Sequence, residues 1–470
     1  MSKTKTTLLI LLAALLVFST VGCAKGGDST AIKAYKKEKI VWWRVWDNED
    51  RFSDLLKAYK QMHPNVTVEY RKLRYEEYEK ELLEALAEDR GPDVFSIHNT
   101  WMERYQSKLL PMPAQTKVPI KYLEGSVKKE EVVRFVTNPG MTPLQLKKKF
   151  LDVVVKDVIM SDSSAKDSVD KVWGLPVSLD TLVMYYNKDL LNNAGIIEPP
   201  KNWTDFQEQV KKITKINKDT GEILVAGAAM GTAKNVERNF DILSLLMMQN
   251  LAPMLDDNGN PTFDKIPKGL TGVEQAPAIG ALEFYMQFAS PLFEGYCWNK
   301  DMPNSIEAFI AGKAGFAFGY SYHRDQIIAK APKLNFAMAS VPQVGEGQKV
   351  NYASYWVETV SKKTKVKDYA WDFIQFITDE KNVVKYLEKA EKTTALRSTV
   401  IINAELANEK LAAAADQLLT AKSWYHGQSP AVAEKAFADM VEAVIAGELD
   451  TKKAIKQAIQ QVAFSMKEKL

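Results

Sequence analysis

Apolar positions recur along this 470-residue chain with two periods, and the switches between them mark alternating strands and helices. The run "IVWWRVW", Ile40 to Trp46, is β-branched and aromatic and reads as a strand. Phe52, Leu55, Leu56, Tyr59 and Met62 then fall on one helical face, which His63-Pro64-Asn65 stops because proline cannot continue it. Val66 to Tyr70 alternates as a second strand, and Tyr78, Leu82 and Leu86 line a second helix near Tyr75 to Glu88. Gly91-Pro92-Asp93 turns into a third strand, "VFSIHN". This β-α-β-α-β order implies parallel strands with helices on the sheet faces. Ligands of such sheets sit beyond the carboxyl ends of the strands. Those ends are Trp46-Asp47-Asn48-Glu49 and His98-Asn99-Thr100-Trp101.

Beyond Pro111 the pattern loosens. To about Val172 it holds Pro and Gly turns and one expected helix around Leu144 to Met160, an elaboration on the first unit. Then comes "WGLPVSLDTLVMYYNKDLLNNAG", Trp173 to Gly195, with an apolar strand-like run from Leu182 to Tyr186, a polar break and a helix closed by Gly195. Asp180 lies just before that run among apolar residues. Desolvating an unpaired carboxylate costs several kcal/mol, so Asp180 requires a local hydrogen-bond partner or a wet cleft beside the chain. Further on, Thr204 and Gln207 have the spacing of a capping box, with Phe206, Val210 and Ile213 on one face of its helix. "LDDNGNPTFD" has the acids of a calcium loop but not EF-hand spacing, and Asn258-Gly259 marks it as a hairpin turn. "IEAFIAGKAGFAFGYSYHRDQI" reads as helix, Gly turn, apolar strand and a polar-aromatic stop at Tyr320, Tyr322 and His323.

The first residues follow a different logic. Lys3 and Lys5 precede an apolar run from Leu8 to Phe18, the layout of a secretory signal, since a membrane span needs about 20 apolar residues. The junction before Cys23 resembles a bacterial lipobox, although Thr20 departs from its usual aliphatic residue. Residues 1–22 are therefore expected to be a signal peptide, Cys23 a lipidation site, and 23–38 a solvated, lysine-rich tether. Cys297 is the other of two cysteines, so no intramolecular disulfide survives acylation of Cys23. Stability then rests on the hydrophobic core, with Cys297 beside Trp298 as part of it.

Net charge is +3 with acids and bases interspersed, which offers no field for nucleic acid. An exported carbohydrate-active enzyme would need two carboxylates about 5 to 10 Å apart across a sugar bond, and nothing in the placing of Glu49 and Asp180 asks for that. There is no Gly-x-Ser-x-Gly elbow or His-Glu-x-x-His, and the four histidines are scattered. No catalytic residue, metal or cofactor is assigned.

Three stretches together carry a family resemblance: "GPDVFSIHNTWMERYQSKLLPM", "VWGLPVSLDTLVMYYNKDLLNNAGIIEPPKNWTDFQEQVKKIT" and "SIEAFIAGKAGFAFGYSYH". Over essentially its whole mature length the chain resembles the extracellular solute-binding proteins of ABC importers, in the carbohydrate-type cluster that includes maltose-binding protein. The resemblance implies an α/β, two-lobed periplasmic-binding-protein-like fold, each lobe a mainly parallel sheet flanked by helices, joined by hinge strands. Lobe 1 is expected over 39–180, with the elaboration at about 111–172, and lobe 2 over 181–312. A return to lobe 1 over 313–352 and a second part of lobe 2 with C-terminal helices over 353–470 complete the expectation. Leu179 to Asn187 would be hinge, with Asp180 at the cleft edge. The implied function is capture of a solute by hinge closure and delivery to ABC permease subunits, by an extracytoplasmic, lipid-anchored monomer without catalysis.

The 10 Trp and 18 Tyr suit a sugar. A pyranose stacks its C–H face on an aromatic ring and offers hydroxyls around its edge to a few placed polar groups. Candidate ligand residues are Trp46, Trp101, Tyr320, Tyr322 and Trp356 among the aromatics, and Glu49, Asn99, Asp180 and Arg397 among the polar groups. Trp43 is a weaker platform, and Trp203 and Trp371 lie on helix faces with the core. Core packing competes for each aromatic, and a surface salt bridge for Arg397. Other solutes share the fold: a polyamine would want several acids around the aromatics, a phosphate ester would want bases, and neither pattern dominates the candidate positions.

Overall fold

Glu38–Arg44 occupies the middle of a four-stranded sheet because its residues Ile40, Trp42, Trp43 and Arg44 are all buried. Val66–Lys72 and Val94–His98 run parallel to it on either side, and Trp356–Val360 closes the far edge antiparallel to Val94–His98. This is a computed structural model, describing residues 29–162, 169–345 and 347–467. Two amphipathic helices cover the sheet: Ser53–Met62 buries Leu55 and Tyr59, and Tyr75–Ala87 buries Tyr78, Leu82, Ala85 and Leu86 at the helical period.

The second sheet has Val183–Asn187 between Ala314–Gly319 and Phe336–Ala339, antiparallel to both. Ile223–Ala228 adds a parallel strand beside Ala314–Gly319, and Lys215–Ile216 an antiparallel edge. The sheet is therefore mixed, and the mainly parallel expectation describes the first sheet alone. Helix Trp203–Ile213 lies close on this sheet at Gly227, where a Cβ would stand 2.3 Å from the Val210 carbonyl oxygen. Its cap is Asn202, whose side chain accepts from the Asp205 N–H, rather than the expected Thr204.

A third, small sheet connects the two. Asp180–Thr181 and Ala421–Lys422 flank Asn351–Ser354, antiparallel and parallel respectively. Core membership changes at these strands. Leu179, Ala353 and Ala421 pack in the first core, whereas Leu182, Tyr352 and Trp424 pack in the second. The chain thus crosses between the lobes three times.

This corrects the expected return. Strands Ala314–Gly319 and Phe336–Ala339 belong to lobe 2, and the segment from 353 to 421, with Trp356–Val360 and helix Lys367–Thr378, belongs to lobe 1 except at Ala413 and Ala414, which pack in the second core. Apolar periodicity identifies a strand but not its partner, and here the partners lie over a hundred positions away. The elaboration at 111–172 consists of a long hairpin, Gln115–Glu124 with Glu130–Pro139, and a short one, Ile159–Asp162 with Val169–Val172. The single helix expected between them is two, Pro143–Lys149 and Asp152–Val158, separated by extended Phe150 and Leu151 that the core buries.

The tether expectation is also revised. Ser29–Ala34 is a helix seated on the long hairpin with Ala31 buried, and the Asn65 side-chain amide donates to the Lys36 carbonyl at 3.0 Å. Residues 29–38 are thus part of lobe 1, while the signal peptide, Cys23 and residues up to 28 lie outside the described residues. The Asn258-Gly259 turn is a hairpin: Gly259 has φ +77°, and the Asp256 carboxylate accepts from the Asn258 and Asn260 N–H groups at 2.9 and 2.8 Å. Cys297 is buried, its thiol pushed up to about 12 by desolvation.

Candidate functional site

Between the two main sheets lies a cleft of about 590 Å³, floored by the connecting strands through Asp180 and Ser354. A larger hollow of about 820 Å³ beside Trp203 and Phe284 sits on lobe 2 away from these strands, so size alone does not select the site. Six of the nine sequence candidates line the interlobe cleft: Trp46, Trp101, Asp180, Tyr320, Tyr322 and Trp356.

The aromatic lining is built from both lobes. Trp46 follows the first strand with φ +70°, a left-handed conformation that side chains rarely adopt and that turns its ring into the cleft. It stacks on Tyr75 at 5.3 Å and 22°, and on Tyr322 of lobe 2 at 5.1 Å and 13°. Tyr322 in turn lies 6.2 Å from Tyr320 at 19°. On the same lobe as Trp46, Trp356 lies edgewise to Tyr75 at 6.3 Å and meets Trp101 edge to face at 5.5 Å, with His98 against both tryptophans. Arg238 is a second left-handed residue, φ +57°, at the start of helix Asn239–Gln249, and it too lines the cleft. Backbone strain of this kind persists only where surrounding structure holds it, and it concentrates at functional sites.

Asp180 meets both of the demands its sequence context raised. Its Oδ2 accepts from the Ser321 N–H at 2.9 Å and from the Ser321 hydroxyl, and its Oδ1 accepts from the Thr181 N–H at 3.0 Å. The carboxylate therefore caps helix Ser321–Lys330 of lobe 2 from a connecting strand, while also facing the cleft. Burial raises its pKa, opposed first by Lys392, whose Nζ donates to Ser321 Oγ at 3.0 Å. Tyr320 is buried and donates its phenol to Asp241 at 2.7 Å, so it offers the cleft no free hydroxyl.

Three candidates fall outside the cleft. Glu49 is exposed in the short helix Glu49–Phe52, because the left-handed turn at Trp46 brings Asp47 to the cleft instead. Asn99 is only 1 % exposed; its amide donates to Asp157 at 3.0 Å, and it braces the turn that presents Thr100 and Trp101. Arg397 pairs with Asp152 in a separate hollow on lobe 1. The loop before it is pinned to Leu179 by Thr393, whose carbonyl accepts from the Leu179 N–H at 3.0 Å and whose hydroxyl donates to the Leu179 carbonyl, and this puts Lys392 in the cleft.

Sequence reasoning passed over Tyr75, Glu76, Glu237, Arg238, Lys392 and Glu434, all of which line the cleft. Most of them open or precede helices, and only pairing of the lobes brings them together. The cleft histidines are neutral: burial pushes both His98 and His323 down to about 3, with Arg238 acting in the same direction. His323 Nδ1 accepts from the Tyr320 N–H at 2.9 Å, and His98 bridges Thr100 and Ser354 at 2.8 and 2.9 Å. Among the described residues no group of three metal-ligating side chains converges, and no helix is long and apolar enough to cross a membrane.

Two α/β lobes joined by three crossings around an aromatic cleft define a binding protein of the two-lobed extracytoplasmic class. Residues 45–384 match the family model described as bacterial extracellular solute-binding protein, and the chain belongs to that family. It is similar to a galactooligosaccharide-binding protein of Bacillus subtilis (strain 168), 21% identical over 100% of this chain and 99% of the relative. It is also similar to the maltodextrin-binding protein MdxE of the same strain, 23% identical over 64% of this chain and 68% of the relative. In fold it matches the sugar-binding protein MalE of Xanthomonas citri with a TM-score of 0.66 at 18% identity, over 91% of this chain and 97% of that one.

Proposed function

We propose that this solute-binding protein captures a sugar or oligosaccharide in the interlobe cleft and passes it to the membrane subunits of an ABC importer. The observation that carries the reading is the aromatic lining contributed by both lobes, Trp46, Trp101 and Trp356 from one and Tyr322 from the other. Such rings offer flat apolar faces to pyranose C–H groups, while Asp47, Asp180 and Arg238 stand by for hydroxyls. The names of the sugar-binding relatives support the same class. We further propose that Cys23 carries a lipid that holds the protein at the outer face of the membrane, with residues up to 28 as the spacer. The cleft serves reversible capture, so bound sugar is released unchanged.

Titration calorimetry with maltotriose, galactotriose and arabinotriose tests the reading. Saturable one-to-one binding of at least one of them, with no product formed on prolonged incubation, is expected. Failure of a broad neutral and charged oligosaccharide panel to bind would overturn it.

A further inference from the structure

The cleft carries an excess of acids that its aromatic lining does not explain. Six carboxylates, Asp47, Glu76, Asp180, Glu237, Glu307 and Glu434, line it against three cations, Arg44, Arg238 and Lys392. The chain as a whole has the opposite sign, +3. Each of the three cations is already engaged. Arg44 lies 3.4 Å from both Glu358 and Asp47, Arg238 donates to Asp241 at 2.7 Å, and Lys392 donates to Ser321 beside Asp180. Glu307 pairs with Lys330. Among the described residues, Glu76, Glu237 and Glu434 are in no close ion pair: Arg238, bonded to Asp241, acts on Glu434 only at longer range, and Glu237 accepts from the Asn304 amide at 3.0 Å.

These three acids come from opposite walls. Glu76 stands in the first turn of helix Tyr75–Ala87 on lobe 1, beside the Trp46–Tyr75 stack, and Glu237 and Glu434 belong to lobe 2. The lobe 2 charges act across the gap on Tyr75 of lobe 1. Burial in the cleft raises the Tyr75 phenol, Arg238 of the other lobe pulls it down, and Glu434 pushes it up. Holding the lobes together around a neutral solute keeps like charges facing one another in a partly desolvated space, which is unfavourable. A cation between them reverses the sign and also finds the π faces of Trp46, Tyr75 and Tyr322, which attract ammonium groups.

Resting on the sugar reading above, we infer that the cleft selects an oligosaccharide bearing protonated primary amines over its neutral counterpart, with Glu76, Glu237 and Glu434 as the groups that meet the ammonium. An anionic sugar or phosphate ester finds no unengaged cation. A linear polyamine shares the ammonium chemistry but lacks the ring faces that the tryptophans accept.

The test is calorimetry on the full mature protein at about pH 6, where free amines and ordinary carboxylates are both charged; burial raises the Glu434 carboxyl and Arg238 opposes that, and an ammonium beside it favours the ionised form. The probes are the glucosamine trimer, its N-acetylated form, maltotriose and spermidine. The glucosamine trimer should bind about tenfold more tightly than either neutral trimer, the factor expected of one or two partly desolvated ammonium contacts. In the double variant Glu237→Gln/Glu434→Gln the ratio of glucosamine-trimer to maltotriose affinity should fall toward one, with circular dichroism reporting an intact fold. Equal or tighter binding of the neutral trimers to the wild type would overturn this inference and leave the sugar reading standing. Binding of spermidine with none of the trimers would overturn both. An unchanged affinity ratio in a folded double variant would also overturn the inference, because the preference would then come from other groups.

Discussion

Trp46 of lobe 1 and Tyr322 of lobe 2 stack face to face across the cleft, their centroids 5.1 Å apart and their planes 13° from parallel. A sugar ring lying between them would need two van der Waals contacts of about 3.5–4 Å each, hence about 7–8 Å between the rings. The observed gap is too small. A solute entering at this point must therefore part the rings before it can replace them.

This relationship gives the first prediction. Tyr322→Ala removes the lobe 2 half of the stack and should shift the unliganded protein toward open forms, seen as a larger radius of gyration in solution scattering. The stability change should stay below about 1.5 kcal/mol, the range for a single aromatic pair. Scattering profiles identical to wild type would mean that the stack does not hold the lobes together.

Trp101 and Trp356 are expected to act differently from Trp46. Both are half-buried, Trp101 backed by Tyr105 at 5.9 Å and 15°, and Trp356 enclosed edgewise by Tyr75, Tyr78, His98 and Trp101. Replacing either with alanine should weaken sugar binding by about 1 to 3 kcal/mol, as for a buried stacking contact. Trp356→Ala should also lower stability more than Trp101→Ala, because it empties a space shared by four rings. Calorimetry with the best-binding trimer and denaturant titration separate the two effects. Unimpaired binding by both variants would move the ligand elsewhere in the cleft.

Asp180 is expected to be a structural residue first. Asp180→Ala strips acceptors from the Ser321 and Thr181 N–H groups and leaves Lys392 beside an uncharged site. The expected cost is about 1–3 kcal/mol of stability, the penalty for orphaned buried donors. Asp180→Asn keeps one acceptor and should cost less. A melting temperature unchanged in Asp180→Ala, together with lost binding, would instead assign the carboxylate to the ligand.

The sequence showed the elements more clearly than their assembly. Helix and strand periods around Trp42, Tyr59, Tyr78 and Ile97 are local signals, and those elements stand where the periods put them. Strand partners are not local. Trp356–Val360 completes lobe 1, yet nothing in its apolar run distinguishes that from pairing with Ala314–Gly319. Within the site, aromatics at strand ends were legible because bulky rings are rare there without a reason. Glu237, Arg238 and Glu434 were not, since a charged residue beside a helix start is ordinary and gains meaning only when the other lobe faces it. Asn99 and Arg397 misled for a related reason: a polar residue after a strand or in a late loop has as many internal partners as cleft-facing ones.

The last prediction concerns pH. Glu405 lies on helix Thr399–Leu406, 5 % exposed, and neither of its oxygens makes a well-formed hydrogen bond among the described residues. Burial pushes its carboxyl up to about 8, with the Thr394 N–H opposing. An unfolded glutamate titrates near 4.3, so between about 4.3 and 8 the folded chain holds a proton that the unfolded chain releases, and stability falls as pH rises through that window. The cleft histidines act in the opposite sense: held down to about 3, His98 and His323 bind protons on unfolding, so stability falls as pH drops below about 6.5. Glu405→Gln carries no proton to lose. It should match wild type near pH 4 and exceed it by about 1–3 kcal/mol near pH 8, while the acid-side loss set by the histidines persists. Denaturant titrations across pH read this directly, and a wild-type-to-variant difference that does not grow with pH would show that Glu405 is ionised in the folded protein.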